Sequence, residues 1–119
     1  MAADQTRVTG QEILSRLKVE YPSIFTAYQT ISQEQFELFA KKHLDYGMTN
    51  VTAGEPLDSP ESVQFALNGL WYRMNDKMSR WKTHVKGGTL TNENIQDTFQ
   101  DIVNYAIIAQ MVARGLWVK

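Results

Sequence analysis

The spacing of large apolar residues between Val63 and Val85 most constrains the fold of this chain. These residues recur every three or four positions, which is the repeat of a helix face and not of a strand. Valine and isoleucine elsewhere also sit mostly at helical spacing, and no alternating run is long enough for a strand. We therefore predict an all-α fold, a bundle of four to five helices. The apolar positions are Val63, Leu67, Leu70, Trp71, Met74, Met78, Trp81 and Val85.

Capping signals divide the first half of the chain. The motif "TGQE" begins a helix at Thr9, and Pro22 ends it because the residue before a proline is pushed toward extended geometry. The next segment, "PSIFTAYQ", is compatible with a short helix or with an irregular connector. The motif "SQEQ" places Ser32 at the N-cap of the second main helix, which ends at Gly47.

Two further main helices are predicted in the second half. A loop without a convincing strand covers residues 48–59, and "SPES" then caps the third helix at Ser59, with a proline in its first turn. The glycine pair at residues 87–88 ends that helix. The fourth helix begins at Thr91 or Asn92, and "RGLW" at its end is typical of a Schellman cap.

Length and composition indicate one ordinary folded domain. The chain has 119 residues, of which 43% are hydrophobic and 21% are charged. We expect residues 1–31 to form a helical extension and residues 32–119 to form the core. The net charge of −1 argues against direct binding to duplex DNA, which requires a basic excess. Without cysteine the chain has no disulfide and no cysteine-ligated metal.

The sequence also predicts a cytoplasmic protein without a membrane partner. The segment "MAADQTRVTG" lacks the basic-then-apolar order of a signal peptide. The longest apolar run, residues 105–109, is far shorter than the roughly 20 residues that cross a bilayer.

The last predicted helix carries a row of polar residues on one side. Asp97, Asp101 and Asn104 fall within a sector of about 60°, and Glu93 lies one turn earlier. One interpretation is the wet face of an amphipathic helix. The other is a face turned toward a metal ion and a phosphate, because the helix dipole does not account for an acid as far along as Asp101.

Charged residues of two other predicted helices fit the same two interpretations. Glu34, Glu37 and Asp45 share one side of the second helix, and carboxylates from two helices could hold Mg²⁺ together with substrate phosphates. The third helix presents cations that could either receive phosphate oxygens or neutralise the acids of neighbouring helices. These cations are Arg73, Lys77 and Arg80.

Three stretches together resemble the nucleotide modification associated domain 1 family of small helical phage and bacterial proteins. They are "KKHLDYGMTN" (Lys41–Asn50), "MNDKMSRW" (Met74–Trp81) and "DTFQDIVNYAIIAQM" (Asp97–Met111). The resemblance covers about Glu34 to Trp117. More remotely, the chain is similar to MazG and the dimeric dUTPase-like group, which are all-α nucleoside triphosphate pyrophosphohydrolases and are usually oligomeric.

The resemblance implies a Mg²⁺-dependent (deoxy)nucleoside triphosphate pyrophosphohydrolase or a related nucleotide-processing protein. Whatever the function, we expect a homodimer or homotetramer, because four short helices with this many large apolar residues leave surface to cover. Glu34 and Glu37 match an E-x-x-E metal pair. Asp97 and Asp101 stand at the second metal pair, although Thr98 occupies the position three before Asp101. The implied catalytic residues are Glu37, Asp97 and Asp101. The implied substrate-binding residues are Asp45, Tyr46, Arg73, Lys77, Arg80 and Asn104.

Two alternatives to an enzyme stay open. The same pocket could bind a nucleotide without turnover, as a sponge or regulator would, and the departure at Thr98 favours this interpretation. A protein-interaction function would instead use the tryptophan- and methionine-rich face of Leu70–Trp81 as a surface for a partner helix.

Overall fold

The computed structural model describes residues 8–91 and 93–119. Within them the chain forms five helices and no strand, which confirms the predicted all-α fold. No helix among these residues is both long enough and apolar enough to cross a membrane. Residues 1–7, at the start of the segment "MAADQTRVTG", lie outside the described residues, as does Asn92, one of the two predicted starts of the last helix. The helices are α1 (Gly10–Glu20), α2 (Pro22–Tyr46), α3 (Thr49–Thr52), α4 (Pro60–Val85) and α5 (Ile95–Ala113).

Three of the predicted caps are confirmed. The Thr9 side chain accepts a hydrogen bond from the backbone N–H of Glu12, whose carboxylate accepts one from the backbone N–H of Thr9. Ser59 caps α4 in the same reciprocal way, with proline in the first turn. After α5, Gly115 has a φ of 71°, and the N–H of Leu116 donates to the carbonyl of Met111 at 2.8 Å. That bond spans five residues, as in a Schellman cap.

The predicted N-cap at Ser32 is wrong, because Ser32 lies inside α2. Its hydroxyl donates to the carbonyl of Tyr28, one turn earlier, at 2.7 Å. A serine hydroxyl can satisfy either a free N–H at a helix start or a carbonyl within a helix, so the residue type alone does not distinguish them. The segment "PSIFTAYQ" is helical and places Pro22 at the first position of α2, where its missing N–H costs nothing.

The predicted start of the last helix at Thr91 is also wrong. The helix begins at Ile95, and the Asn94 side chain accepts from the N–H of Asp97 at 2.8 Å. A threonine such as Thr91 is also competent as a cap, but Asn94 supplies the N-cap of this helix. Glu93 consequently stands before the helix and not on its polar row.

The chain separates into two compact units, Met1–Glu37 and Leu38–Lys119. In the second unit α4 and α5 form the main helix pair, and the one-turn helix α3 packs on α4. Helix α3 lies where only a loop was predicted. The prediction of an extension over residues 1–31 and a core over residues 32–119 stays a prediction. The buried core of the second unit consists of Val51, Ala66, Leu70, Val112 and Trp117.

Helix α4 leaves part of its apolar face exposed. Trp71, Met78 and Val85 follow one another at seven-residue intervals, and all are exposed. A repeat of this kind is typical of a seam along which helices pair. Assembly into a homodimer or homotetramer stays a prediction, and so does the alternative of binding a partner helix. Either one would use this exposed surface of α4.

Candidate functional site

Lys77 on α4 lies between two carboxylates. Its Nζ is 2.8 Å from a carboxylate oxygen of Asp101 on α5 and 2.9 Å from one of Glu93, just before α5. The side chains of Lys77, Asp101 and Glu93 are only 14%, 15% and 11% exposed. Two residues predicted for the site, Lys77 and Asp101, are thus joined in a largely buried ion pair.

Further charged groups extend this arrangement at both ends. Nζ of Lys42, from the last turns of α2, is 2.7 Å from the other carboxylate oxygen of Asp101. The Arg80 guanidinium binds Glu93, which also accepts a hydrogen bond from the Thr98 hydroxyl at 3.0 Å. The result is a continuous charge chain, defined here as Lys42, Asp101, Lys77, Glu93 and Arg80.

Burial and charge act in opposite directions on the members of the charge chain. Burial opposes ionisation of Asp101, but the hydrogen bonds and charges of Lys42 and Lys77 outweigh it and lower the pKa of Asp101. Burial likewise opposes ionisation of Glu93, and hydrogen bonds from Lys77 and Thr98 lead the effects that lower its pKa. Burial acts to lower the pKa of Lys77, but Asp101 and Glu93 outweigh it, so the pKa is raised. All three shifts favour the charged forms.

We expect these shifts to make stability depend on pH at both extremes. The stabilisation from Asp101 and Glu93 is complete above their unfolded pKa values of about 3.9 and 4.3. It is lost as pH falls through their lower folded values. The stabilisation from Lys77 is complete below about 10.4 and is lost as pH rises through its higher folded pKa.

Urea unfolding over a pH series measures this dependence. The free energy of unfolding should be nearly flat between the two limits and fall outside them. Asp101→Asn should flatten the acid limb, whereas Glu61→Gln, at an exposed position of α4, should leave it as it is. An acid limb that is equally steep in Asp101→Asn and in the unmodified protein would contradict the prediction.

The charge chain reaches the wall of a cavity of about 200 Å³ within the second unit. Lys42 and Asp101 belong to both the charge chain and the cavity wall. The wall combines polar side chains with several aromatic rings, contributed by α2, α3, α5 and the segment after α5. The lining residues are Phe39, Lys42, His43, Tyr46, Gly47, Asn50, Val51, Asp101, Asn104, Tyr105, Ile108 and Trp117.

The aromatic part of this wall is held in place by Trp117. The indole ring meets His43 edge-on, with ring centroids 5.1 Å apart, and His43 stacks on Phe39 at 5.4 Å. The indole N–H donates to the carbonyl of Met48 at 3.1 Å. Because Trp117 is 6% exposed, its ring is part of the core as well as of the cavity wall.

Several predicted site residues lie at this cavity or on the charge chain. Asp101, the buried Asn104 and Tyr46 line the cavity. Lys77 and Arg80 belong to the charge chain. The structure therefore brings these five residues into one region of the second unit.

The other predicted site residues are placed differently. The Arg73 guanidinium donates to the carbonyl of Asn50 at 2.8 Å and so joins α4 to α3. Asp45 and Asp97 are exposed. Glu34 and Glu37 are exposed residues of the first unit. The metal-binding and catalytic roles predicted for Glu34, Glu37, Asp97 and Asp101 stay predictions.

The sequence did not single out Lys42, His43, Tyr105 or Trp117. Lys42 and Tyr46 are four residues apart on α2, so helical spacing could have grouped the lysine with the tyrosine. Trp117 contacts Met48 across 69 positions of sequence, and no local pattern reveals such a contact.

The acids of the charge chain are paired with cations and not with one another. In residues 8–91 and 93–119, no group of three or more His, Cys, Asp or Glu side chains could hold a metal. Asp101 faces two lysines, and Glu93 faces a lysine and an arginine. These acids do not fit a resident Mg²⁺ site in this arrangement. The predicted Mg²⁺ stays a prediction that requires the phosphates of a substrate as additional ligands.

Comparison with known proteins gives one family. Residues 65–112 match the family described as nucleotide modification associated domain 1. The matched segment contains most of α4 and α5, including Lys77, Glu93, Asp101 and Asn104. No curated protein and no solved structure matches the chain. Over residues 65–112 the predicted family resemblance is confirmed, and the family's description associates it with nucleotide modification.

Proposed function

We propose that the protein binds a nucleotide, with the base in the cavity beside Asp101 and Asn104. The observation that carries the proposal is the composition of this cavity, where aromatic rings meet a buried amide and a lysine–aspartate pair. Aromatic side chains contact the flat faces of bases of any sequence. An asparagine amide offers a donor and an acceptor side by side, which suits the edge of a base.

The size of the cavity supports a base as the enclosed part of the ligand. Sites for drug-sized molecules usually measure about 300–1,000 Å³. A cavity of about 200 Å³ is smaller, so it suits a base, or a base with part of its sugar. The phosphate nearest the sugar would then lie at the mouth, beside the exposed Tyr46 and the Lys42 side chain, which is 42% exposed.

An accessible cation at the cavity supports an anionic ligand. Lys42 lines the cavity and its side chain is 42% exposed, so its ammonium can meet phosphate oxygens. Because Asp76 also pairs with Arg80, the three cations Lys42, Lys77 and Arg80 face three carboxylates, and the support comes from Lys42 and not from a net charge. The description of the matched family is consistent with a nucleotide in this role.

Hydrolysis of a (deoxy)nucleoside triphosphate is a second candidate, with the protein acting as a pyrophosphohydrolase. It is supported by the position of Asp101 at the cavity wall, with the exposed Asp97 one turn earlier on α5. Mg²⁺ bound to the nucleotide would supply polarisation of a phosphoryl oxygen. Incubation with each (d)NTP and Mg²⁺ tests this candidate, and pyrophosphate release no greater than in a blank would exclude it.

Calorimetric titration with a panel of nucleosides, nucleoside monophosphates and nucleoside triphosphates tests the binding proposal. We expect Asn104→Leu to weaken binding of the preferred nucleotide about tenfold, because the base edge then loses a polar partner at the cavity wall. Gln110→Leu, at an exposed position of the same helix, should leave affinity unchanged.

Lys42→Gln provides a second variant if Asn104→Leu does not fold, because the lysine side chain is partly exposed. It should weaken binding of nucleotides more than binding of nucleosides. Failure of the unmodified protein to bind any compound of the panel at millimolar concentration would reject the proposal. So would full affinity in both Asn104→Leu and Lys42→Gln.

A further inference from the structure

The Glu93 carboxylate accepts hydrogen bonds from a set of donors that would also suit a phosphate group. Its carboxylate meets the Lys77 ammonium at 2.9 Å, the Thr98 hydroxyl at 3.0 Å and the Arg80 guanidinium. Arginine and lysine side chains are the usual partners of phosphate oxygens, and a hydroxyl adds a further donor. A carboxylate held in this way resembles a bound anion that the protein itself supplies.

The surroundings of Glu93 give an external anion room to approach. A second cavity of about 180 Å³ lies beside this carboxylate and is lined by Arg80, Thr89, Leu90, Thr91 and Glu93. Glu93 stands between the end of α4 and the start of α5, outside both helices. Its side chain can therefore leave the two cations without breaking a helix.

Lys77 connects this anion position to the nucleotide cavity. The same ammonium that holds Glu93 also binds Asp101, which lines the cavity proposed for the base. When Glu93 leaves, Lys77 keeps Asp101 as a partner, so the lysine is not left buried without a counter-charge. The two cavities lie at the two ends of the Asp101–Lys77–Glu93 arrangement.

We propose that Glu93 is an internal anion that competes with the phosphate chain of a bound nucleotide for Lys77 and Arg80. In the free protein its carboxylate satisfies both cations. When a nucleoside polyphosphate binds, its phosphate oxygens replace the carboxylate, which moves into water. This inference rests on the proposed function and assigns the position of the outer phosphates, beyond the one that lies beside Lys42.

The test compares two variants that change net charge equally beside the same arginine. Glu93→Gln removes the competing charge and keeps the size of the side chain. Asp76→Asn is the matched control, because Asp76 also pairs with Arg80, at 3.2 Å, but is 61% exposed. The probes are inorganic tripolyphosphate, the preferred nucleoside triphosphate and the corresponding nucleoside, titrated by calorimetry at one salt concentration.

We expect Glu93→Gln to bind tripolyphosphate and the triphosphate about tenfold tighter than the unmodified protein, because a charged competitor is lost. Asp76→Asn should change these affinities by less than about threefold, as exposed ion pairs contribute little. Nucleoside affinity should be the same in all three proteins. A gain in Glu93→Gln that does not exceed the gain in Asp76→Asn would overturn the inference.

Glu93→Asp provides a second variant if Glu93→Gln does not fold. This variant keeps the charge of the side chain and shortens its reach by one methylene group. It should therefore also bind tripolyphosphate tighter, and no gain would overturn the inference.

Tripolyphosphate distinguishes failure of the further inference from failure of the proposed function. A gain for tripolyphosphate without binding of any nucleoside or nucleotide would reject the proposed function alone. Nucleotide binding that is equal in Glu93→Gln and the unmodified protein would reject the internal anion alone.

Discussion

Replacement of Lys77 by methionine is expected to lower the free energy of unfolding by about 3 kcal/mol, because two largely buried carboxylates lose their shared partner. Asp101 would keep only Lys42 among its lysine partners, and Glu93 would keep Arg80 and Thr98. For a domain of this size the melting temperature should fall by roughly 10 °C. Urea and thermal unfolding followed by circular dichroism measure both quantities.

Two comparisons separate the loss of an ion-pair partner from a general effect of substitution in α4. Lys82→Met changes an exposed lysine of the same helix and should alter stability by less than about 0.5 kcal/mol. Addition of Asp101→Asn to Lys77→Met should restore part of the loss, because the acid that needed the lysine is then neutral. Equal losses in Lys77→Met and Lys82→Met would contradict a stabilising role for the charge chain.

Trp117→Ala is expected to produce the other large effect, a loss of about 3–5 kcal/mol in the free energy of unfolding. The indole is buried in the core of the second unit and packs against His43 and Phe39. The substitution also removes the hydrogen bond to the carbonyl of Met48. Nucleotide affinity should fall as well, because the aromatic wall of the cavity loses its fixed ring.

Trp117→Phe isolates the contribution of the indole N–H. It keeps an aromatic ring in the core but leaves the carbonyl of Met48 without this donor, so about 1–2 kcal/mol should be lost. Urea unfolding of both variants gives the difference between ring and hydrogen bond. A loss below about 1 kcal/mol in Trp117→Ala would show that the segment after α5 does not contribute to the core.

The parts of the fold that depend on neighbouring residues could be predicted from the sequence. The apolar spacing of residues 63–85 indicated α4, and the caps at Thr9 and Ser59 use bonds that span three residues. The glycine after α5 indicated its end for the same reason. Local rules failed where one residue type serves two purposes, as at Ser32, or where several cap-competent residues follow one another, as before Ile95.

The candidate site could be predicted only in part, because its contacts join distant segments. The polar row on α5 correctly placed Asp101 and Asn104 on a helix. The partners of that row lie far away in sequence, with Lys42 and Asp101 separated by 59 positions. The sequence left open whether the cations of α4 neutralise neighbouring acids, and the structure shows that Lys77 pairs with Asp101. A pairing of this kind leaves no periodic signal.

Val51 and Trp117 belong to the buried core and also line the cavity beside Asp101 and Asn104. Any compound that fills this space therefore adds contacts to the same residues that hold the second unit together. By mass action, a ligand at 100 times its dissociation constant stabilises the folded state by about 2.7 kcal/mol. A thermal-shift screen of a metabolite library could thus identify the natural ligand without a prior choice of base or sugar.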